Sequence, residues 1–495
     1  MTIVALLALT IGEIAMSAPK FESAPREFRA AWVATVDNID WPSKKDLSTA
    51  KQKEELLAII RKAEQVGLNA LIFQIRPSCD SMYPSPLEPW SEFLTGEQGK
   101  APSPNWDPLA FAIRECHNRG IELHAWFNPY RAKHFKATGP LASNHVRITK
   151  PQATKSYGRY LWMDPGEPET PKQTLDVMLD VIRRYDLDGV HMDDYFYPYE
   201  EKDSAGNGIR FPDQESYSRY RSSGGTLSLS DWRRKNVDDF VQNLYKNVKE
   251  VKPWVKVGIS PFGIYRPNHP EGVKSGIDQF DHPLYADCRK WFVEGWCDYF
   301  TPQLYWKIDS PGQPYEKLLK WWDEQNPKGR HLWPGNYTGR LSSSNGDWAM
   351  AEVAKQIEIT RKVVDQPGNV HFSFKVFMEN DKNINEEFAK KLYKSKALVP
   401  ASPWLGSAKP PVPTVEHSKN GNEVRLAWKP SSASSVRQWA IYVNQGGKWR
   451  LSEVAGADLQ DLHWDLGENP ADEIAVCAIS PSGMESDPFI VRIKK

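Results

Sequence analysis

The chain has 495 residues, of which 40% are hydrophobic and 25% charged, and its 63 basic and 63 acidic side chains give a formal net charge of zero. This length predicts one large domain with an appendage, or two to three domains. The balanced charge excludes the basic excess that draws proteins to nucleic acid or anionic lipid, so neither is an expected partner.

The first 18 residues have the pattern of an export signal. An apolar stretch too short to span a bilayer is followed by small residues at Ala15, Ser17 and Ala18 that fit a cleavage site. No Lys or Arg precedes the stretch, and Glu13 interrupts it. Residues 1–18 are predicted to be a signal peptide. The mature protein is predicted to be secreted, periplasmic or on the cell surface, with no transmembrane segment.

Residues 26–398 repeat a strand pattern followed by a helix pattern. Apolar runs bounded by turn residues predict strands at 28–36, 69–77, 121–128, 188–195, 255–262, 298–306, 331–337 and 370–377. Eight units favour a (β/α)8 TIM barrel, an α/β fold, over an open doubly wound sheet of about five or six strands. The longest irregular segments, 77–105, 128–171 and 195–229, each follow a strand, on the face where barrel enzymes build their sites.

The last part of the chain has a different texture. Residues 399–409 are rich in Pro and are predicted to be a linker. Residues 410–495 contain short strand patterns separated by Gly, Asn and Ser, with Trp428 and Tyr442 at positions typical of a core. This segment resembles a fibronectin type III module, a small C-terminal β-sandwich, which spaces or binds more often than it catalyses.

The fourth strand pattern ends in two adjacent carboxylates. Because side chains alternate along a strand, His191, Asp193 and Tyr195 share one face. The apolar residues of the opposite face are expected to meet the helices, so Asp193 is expected to point into the mouth of the barrel. Asp193 is therefore the first candidate for catalysis, and Asp194 is a candidate partner.

Polar and aromatic side chains also end the other strand patterns, and a buried polar group is costly unless it is paired or used. The candidate substrate-binding residues are Asp37, Asp40, Gln74, Arg76, His124, Trp126, Asn128, Tyr130, Arg131, His191, Tyr195, Gln303, Tyr305, Trp306 and Asn336. Structural roles remain open for them: His191 can be a satisfied barrel histidine, and both aspartates can cap a helix or pair with Arg76 or Arg131.

Carboxylates beside aromatic rings, amides and arginines suit glycoside hydrolysis. One carboxylate stabilises or captures the positive anomeric centre, and another protonates the leaving oxygen. Asp193 is predicted to be the nucleophile or base. The fifth strand pattern carries no acid at its end, so Asp194 and Glu379 are the leading candidates for the acid, with Asp37, Asp40, Asp80 and Asp164 as alternatives.

The sequence predicts neither a cofactor nor a metal. Oxygen-ligand cations need more carboxylates than the pattern brings together at Asp193 and Asp194. The five cysteines are scattered without CxxC or metal-ligand spacing, so buried free thiols are favoured over a disulfide framework. A pairing of Cys288 with Cys297 is the alternative.

Several stretches resemble the bacterial glycosyl hydrolase-like 10 family. They are "EFRAAWVATVDNIDWPS", "GLNALIFQIRPSCDSMYPSPLEPWSEFLTG", "HAWFNPYR", "DGVHMDDYFYP", "GISPFGIYRP" and "PQLYW". The resemblance runs over residues 26–395 and implies an exported (β/α)8 glycosidase acting on peptidoglycan glycan chains, particularly those stripped of stem peptides. "DGVHMD" is also similar to the fourth-strand motif of α-amylase-like barrels, which implies that Asp193 is the nucleophile. The fifth-strand Glu of that pattern is missing, which leaves the acid and the stereochemical outcome open.

The sequence therefore predicts an exported glycoside hydrolase whose substrate is a cell-wall amino-sugar polysaccharide. Two alternatives stay open. One is a barrel that binds glycan without chemistry, and the other is a glycosidase of a dietary or capsular polysaccharide.

Overall fold

The computed structural model describes residues 21–346, 348–430 and 436–493, and its largest element is a closed barrel of eight parallel strands. The strands are β1 (Phe28–Val33), β2 (Ala70–Arg76), β3 (Glu122–Phe127), β4 (Gly189–Met192), β5 (Lys256–Ile259), β6 (Tyr299–Phe300), β7 (His331–Leu332 and Gly335–Asn336) and β8 (Gly368–His371). Each strand pairs in parallel with the next. The predicted (β/α)8 barrel is confirmed.

Strand β7 closes the ring although it is interrupted. Pro334 lacks the backbone N–H that an unbroken ladder would use. The first piece of β7 pairs with β6 at His331 and Tyr299, and the second pairs with β8 at Gly335 and Val370. Strand β8 then pairs with β1 through Val370 and Ala30, so no sheet edge is left open.

Helices surround the barrel in the expected alternation. They are α1 (Thr49–Gln65), α2 (Pro108–His117), α3 (Glu169–Arg184), α4 (Leu229–Val251), α5 (Cys288–Glu294), α6 (Tyr315–Glu324), α7 (Met350–Val363) and α8 (Ile384–Glu387, continued as a wider turn over Phe388–Leu392). Asp107 caps α2 by accepting a hydrogen bond from the backbone N–H of Ala110 at 3.0 Å. Gly67 and Gly120 follow α1 and α2 with φ of +81° and +66°, a conformation that favours glycine.

All eight strands are shorter than predicted, and several of them end well before their predicted last residue. The fourth ends at Met192, the sixth at Phe300 and the eighth at His371. Beyond His371 the backbone N–H of Lys375 and the hydroxyl of Ser373 donate to the carboxylate of Asp40, at 2.7 and 2.8 Å, instead of extending a ladder. The apolar pattern continues past these strand ends because the loop aromatics are also buried, so the pattern overestimates strand length.

The long segment after β3 folds into a small antiparallel sheet above the barrel. Its strands are Arg131–Lys133, Thr154–Tyr157 and Tyr160–Met163, with Tyr160–Met163 in the middle. This sheet brings His134 and Phe135 to the C-terminal face of the barrel, where they line the cavity described below.

The C-terminal segment consists of two antiparallel sheets with a shared apolar core. The strands are β9 (Thr414–Asn420), β10 (Glu423–Lys429), β11 (Gln438–Gln445), β12 (Lys448–Gly456), β13 (Asp461–Asp465), β14 (Glu473–Ile479) and β15 (Phe489–Arg492). One sheet has the order β9-β10-β13 and the other β12-β11-β14-β15. Trp428 and Trp439 pack between them, with ring centroids 6.0 Å apart. The likeness to a fibronectin type III module stays a prediction.

This module lies against the N-terminal face of the barrel, opposite the strand ends that carry the predicted site. Arg437 pairs with Asp188, the residue before β4, at 2.7 Å and with Asp186 at 2.5 Å. The backbone of the two parts is also close: a Cβ on Gly120 would lie 2.4 Å from the carbonyl oxygen of Val454.

The predicted linker, 399–409, packs against the same face rather than running free. The indole of Trp404 donates a 2.8 Å hydrogen bond to the carboxylate of Asp298, the residue before β6. The backbone N–H of Ser402 donates to the carbonyl of Ser482 at 2.7 Å. These contacts attach the module at the barrel bottom, and the domain boundaries themselves stay predictions.

The predicted signal peptide, 1–18, lies outside the described residues. Within the described ranges, none of the helices combines the length and apolarity that a bilayer crossing requires. The five cysteines, all within those ranges, are buried and free, so the alternative pairing of Cys288 with Cys297 is wrong.

Candidate active site

A cavity of about 410 Å³ opens at the C-terminal ends of the barrel strands. It is lined by Trp32, Ala34, Val36, Asp37, Ile39, Gln74, Trp126, Arg131, His134, Phe135, Asp193, Asp194, Tyr195, Tyr199, Ser260, Phe262, Gln303, Tyr305, Trp306 and Phe372. Nine of these side chains are Trp, Tyr or Phe rings. A mostly aromatic wall with a few polar groups is typical of a site that holds a sugar ring and orients its hydroxyls.

Asp193 lies at the cavity surface, and its hydrogen bonds stabilise its charged form only weakly. It accepts hydrogen bonds from the indole N–H of Trp126 at 3.1 Å, from the amide of Asn128 at 3.2 and 3.3 Å and from the backbone N–H of Tyr195 at 3.4 Å. Hydrogen bonds to a firmly ionised carboxylate are usually about 2.7–2.9 Å. Burial raises the pKa of Asp193 to about 7, and the charge of Asp194 acts in the same direction against that of Arg131.

Asp194 has a different environment. The hydroxyl of Tyr199 donates a short hydrogen bond to its Oδ2. Burial raises the pKa of Asp194, while the hydrogen bonds from Tyr199 and Gln303 oppose that rise by stabilising the anion. The side chain is only 4% exposed, as is that of Asp193.

The charge of Asp194 raises the pKa of Asp193. Ionising both in one buried site is unfavourable, because each charge raises the free energy of the other. Asp193 has the weaker hydrogen bonds, and its pKa is about 7. Burial therefore favours the protonated form of Asp193 up to near-neutral pH, whereas the hydroxyl of Tyr199 stabilises the anion of Asp194.

Asn128 fixes both Asp193 and the start of the inserted sheet. Its amide nitrogen donates to Asp193, and its Oδ1 accepts a 2.9 Å hydrogen bond from the backbone N–H of Arg131. This double contact determines which end of the amide faces Asp193. Asn128 is fully buried and acts on the cavity through Asp193.

Two further polar groups face the cavity without a protein partner. Gln74 accepts hydrogen bonds at its Oε1 from the backbone N–H groups of Thr35 and Val36, both at 2.9 Å. Its Nε2 is buried and has no hydrogen-bond partner in the described part of the chain, and the same is true of the hydroxyl of Ser260. Unpaired buried groups on a ligand cavity are expected where a ligand supplies the missing hydrogen bonds.

A chain of hydrogen bonds continues below the cavity floor. The indole N–H of Trp32 donates to His191 Nε2 at 3.1 Å, so the proton of this imidazole is on Nδ1, which lies 3.0 Å from the hydroxyl of Tyr299. That hydroxyl lies 2.8 Å from His124 Nδ1, and His124 Nε2 lies 3.0 Å from Glu122. Burial lowers the pKa of His191 well below its usual value, so His191 is neutral.

Comparison with known proteins identifies the family of this chain. The family model described as "Glycosyl hydrolase-like 10" matches residues 27–349. The chain belongs to the glycosyl hydrolase-like 10 family. It is 39% identical to the glycosyl hydrolase YngK of Bacillus subtilis over 460 residues, which are 90% of this chain and 88% of the relative. It is 31% identical to the glycosyl hydrolase DigH of Escherichia coli K12 over 378 residues, 71% of this chain and 84% of DigH.

Among solved structures, the glycoside hydrolase domain of PgaB (BpsB) from Bordetella bronchiseptica matches with a TM-score of 0.49 and 12% identity. The match covers 74% of this chain and 98% of that domain. By family the protein is a glycoside hydrolase, as the sequence predicted.

In this glycosyl hydrolase-like 10 chain, the cavity brings together ten of the predicted site residues. They are Asp37, Gln74, Trp126, Arg131, Asp193, Asp194, Tyr195, Gln303, Tyr305 and Trp306. Their place in the cavity is a fact of the structure, and their roles in binding and catalysis stay predictions. Asp37 is the exposed member, at the mouth.

Other predicted residues are directed elsewhere. The predicted acid Glu379 is exposed on the short helix Lys375–Glu379, 3.8 Å from Lys375, and does not line the cavity. Asp40 joins the loops after β1 and β8, accepting from the backbone N–H of Ala34 at 2.7 Å. Placing these two carboxylates in the site was wrong, because both serve local contacts.

Two of the predicted sugar ligands lie on the outer side of the barrel wall. The amide of Asn336 donates to Gln356 at 2.9 Å and to the hydroxyl of Tyr315 at 3.2 Å, between the strands and helices α6 and α7. Tyr130 is fully buried and packs on Phe240 of α4, with ring centroids 5.3 Å apart. Neither side chain reaches the cavity, so these predictions were wrong.

Arg76, His124 and His191 are also excluded from direct contact with a ligand. Arg76 is fully buried, pairs with Glu88 at 2.5 Å, and donates to the carbonyl of Asn128 at 2.7 Å. The two histidines point into the barrel as predicted, yet they lie below the floor in the chain of hydrogen bonds described above. Arg76 and the histidines support the site from outside it.

Sequence reasoning missed several cavity residues. They are Trp32, His134, Phe135, Tyr199, Ser260, Phe262 and Phe372, together with the small or aliphatic Ala34, Val36 and Ile39. Two carried a signal in the sequence: Tyr199 belongs to the aromatic run after Asp194, and Ser260 is a polar residue within the fifth strand pattern. The place of His134 and Phe135 depends on the fold of the inserted sheet, which the alternation of the barrel does not predict.

The described part of the chain contains no cluster of three or more His, Cys, Asp or Glu side chains suited to a metal ion.

Proposed function

We propose that this glycosyl hydrolase-like 10 protein is an exported enzyme that cleaves glycosidic bonds in peptidoglycan glycan strands from which the stem peptides have been removed. The observation that carries the proposal is the pair Asp193 and Asp194. Both carboxyls line an aromatic cavity, and burial raises the pKa of each.

The environments of the two carboxyls favour a division of labour. A group with a pKa near the working pH can both hold a proton and give it away, which suits a general acid. Asp193 would protonate the glycosidic oxygen of the leaving sugar. Asp194, whose anion is stabilised by the hydroxyl of Tyr199, would stabilise or attack the positive anomeric centre. This reverses the roles expected from the sequence, in which Asp193 was the nucleophile or base.

The remaining cavity groups suit an amino-sugar chain. Aromatic faces such as those of Trp126, Tyr305 and Trp306 stack on the apolar faces of pyranose rings. The free amide nitrogen of Gln74 and the hydroxyl of Ser260 are hydrogen-bonding partners for hydroxyl or N-acetyl groups. The choice of peptidoglycan comes from the family resemblance, and the export from the pattern of residues 1–18.

The proposal is tested with purified glycan strands treated with an amidase that removes the stem peptides. The wild-type enzyme is expected to release reducing ends, and Asp193→Asn is expected to lower kcat by at least about 100-fold, the typical contribution of a general acid. Asp176→Asn is a matched control, because Asp176 lies on the surface of α3, where it pairs with Lys172. Equal turnover by wild type and Asp193→Asn would remove the catalytic assignment.

The same strands separate the proposal from its non-catalytic rival. Retention of strands on the immobilised wild-type protein without release of reducing ends would favour a glycan-binding barrel. Turnover of a capsular or dietary polysaccharide but not of wall strands would keep the enzyme and reject the substrate.

A further inference from the structure

Arg131 differs from the other buried arginines of the described chain in having no carboxylate partner. Arg29 pairs with Glu27 at 2.7 Å, Arg76 with Glu88 at 2.5 Å and Arg233 with Asp213 at 2.5 Å. Among the described residues, the other arginines buried to a similar degree are thus all paired with a carboxylate, whereas Arg131, which is 4% exposed, is not. A buried charge is normally paired because leaving it unpaired is costly.

The guanidinium of Arg131 is fixed from one side only. Its Nε donates to the carbonyl of Pro77 at 3.0 Å, and its carbon lies 5.2 Å from the centre of the Tyr195 ring. The two terminal nitrogens make no hydrogen bond with a described residue, although Arg131 lines the cavity. The guanidinium therefore presents its terminal N–H donors, in a fixed plane, to the cavity.

Within the described residues, neither Asp193 nor Asp194 accepts a hydrogen bond from the terminal nitrogens of Arg131. Neither carboxyl group forms an ion pair with Arg131 in the described part of the chain, and burial raises the pKa of Asp193 to about 7, which favours its neutral form. Asp194 is engaged by Tyr199. The charge of Arg131 lowers the pKa of both aspartates at longer range, yet it leaves the terminal nitrogens without an acceptor.

We propose that the cavity binds a sugar carrying a free carboxylate, and that Arg131 holds this carboxylate with its two terminal nitrogens. Two nitrogens in a rigid plane match the two oxygens of a carboxylate. The inference rests on the proposed glycosidase function and adds a requirement on the substrate. Two sources share this chemistry: the lactyl ether of a muramic acid residue and the carboxyl group of a hexuronic acid.

The muramic acid source makes a specific prediction about the stem peptide. An attached peptide converts the lactyl carboxylate into a neutral amide, which cannot form a charge-assisted pair with Arg131. The enzyme would therefore distinguish stripped strands from substituted strands by charge, in addition to any effect of the bulk of the peptide.

The test compares three substrates of similar length: stripped wall strands, the same strands with their carboxyls converted to methyl amides, and a hexuronic acid polymer. Wild type is expected to cleave the free-acid strands with kcat/KM at least about tenfold above that for the methyl amides, the effect of one charge-assisted hydrogen bond. Arg131→Gln is expected to lose this ratio by slowing only the free acid. Arg131→Lys keeps the charge and is expected to restore part of the ratio. Arg114→Gln, an exposed control on α2, is expected to keep it.

The outcomes separate the two proposals. If wild type cleaves free acid and methyl amide equally well, the role of Arg131 is overturned while the glycosidase proposal stands. If wild type cleaves none of the three, the glycosidase proposal has failed. If wild type cleaves the hexuronic acid polymer in preference to the wall strands, and this preference depends on Arg131, the carboxylate contact is supported and peptidoglycan is rejected as the substrate. A variant that merely loses its fold would lower all rates together and leave the ratio unchanged, and an unchanged ratio in a folded Arg131→Gln contradicts the inference.

Discussion

The indole nitrogen of Trp126 and the carboxyl of Asp193 lie 3.1 Å apart, at the ends of the adjacent strands β3 and β4. This is the shortest hydrogen bond that Asp193 receives, and it is still long for an ionised carboxylate. The hydrogen bond lowers the pKa of Asp193. Burial raises that pKa by a larger amount, so that it lies at about 7. The indole therefore helps to set the pH at which the proposed acid loses its proton.

Removing this donor should move the pH profile of the enzyme. If Asp193 is the acid, kcat/KM of wild type decreases as the pH rises through about 7. Trp126→Phe removes a donor to the charged form, so the pKa rises and the decrease shifts upward by about half a unit to one unit. The measurement is kcat/KM on stripped strands between pH 5 and pH 9, read as the position of the alkaline limb rather than its height.

Trp254→Phe is the control, because this half-exposed indole lies at the barrel end remote from the site. Its limb is expected to coincide with that of wild type. If the alkaline limb of Trp126→Phe stays in place or moves to lower pH, the indole does not lower the pKa of the titrating acid.

Asp193 should also lower stability at neutral pH. Its pKa is raised from 3.8 to about 7 in the native state, so below about pH 4 both states are protonated and no penalty exists. As the pH rises from about 4 to 7, the unfolded state ionises first and wild type loses stability. Asp193→Asn escapes this loss and should be about 1 to 3 kcal/mol more stable than wild type at pH 8.

Urea unfolding of both proteins at pH 4 and pH 8 measures this difference. The two free energies of unfolding should converge at pH 4 and diverge at pH 8. A constant difference at both pH values would mean that Asp193 does not titrate between them.

The contact between the C-terminal module and the barrel should contribute to stability without affecting chemistry. Burial opposes ionisation of Asp188, but the guanidinium of Arg437 and the imidazole of His117 hold its pKa well below the usual range. Arg437→Met removes one partner of this buried pair and is expected to cost about 3 kcal/mol. Folded Arg437→Met should keep the kcat of wild type, because the pair lies at the opposite end of β4 from Asp193.

Thermal unfolding of Arg437→Met and of Arg425→Met provides the comparison. Arg425 is exposed in the same module and lies 4.0 Å from Asp461, so its loss should be nearly neutral. If both variants unfold at the same temperature as wild type, the module does not stabilise the barrel through Arg437.

The barrel was predictable because strand and helix patterns alternate along the sequence with turn residues between them. The side of the strand on which His124, His191 and Asp193 lie also followed from alternation. Their depth did not follow. Trp32 lies between His191 and the cavity, and only the packing of the whole barrel decides that.

Partners supplied by distant segments limited the prediction of the site. Arg76 ends β2 and reads like a ligand contact, yet Glu88 from the following loop pairs with it. Asn336 follows the break in β7 at Pro334 and faces the helices instead of the cavity. Neither Glu88 nor the outward turn of Asn336 has a signal in local periodicity.

The assignment of roles to the two aspartates is tested most directly by the leaving group. Hydrolysis of an activated aryl glycoside of the substrate sugar needs no proton at the leaving oxygen, whereas a natural strand needs one. Asp193→Asn is therefore predicted to keep aryl glycoside hydrolysis within about tenfold of wild type while losing strand cleavage, and Asp194→Asn to lose both. The opposite pattern, or full activity of both variants on strands, would contradict the account.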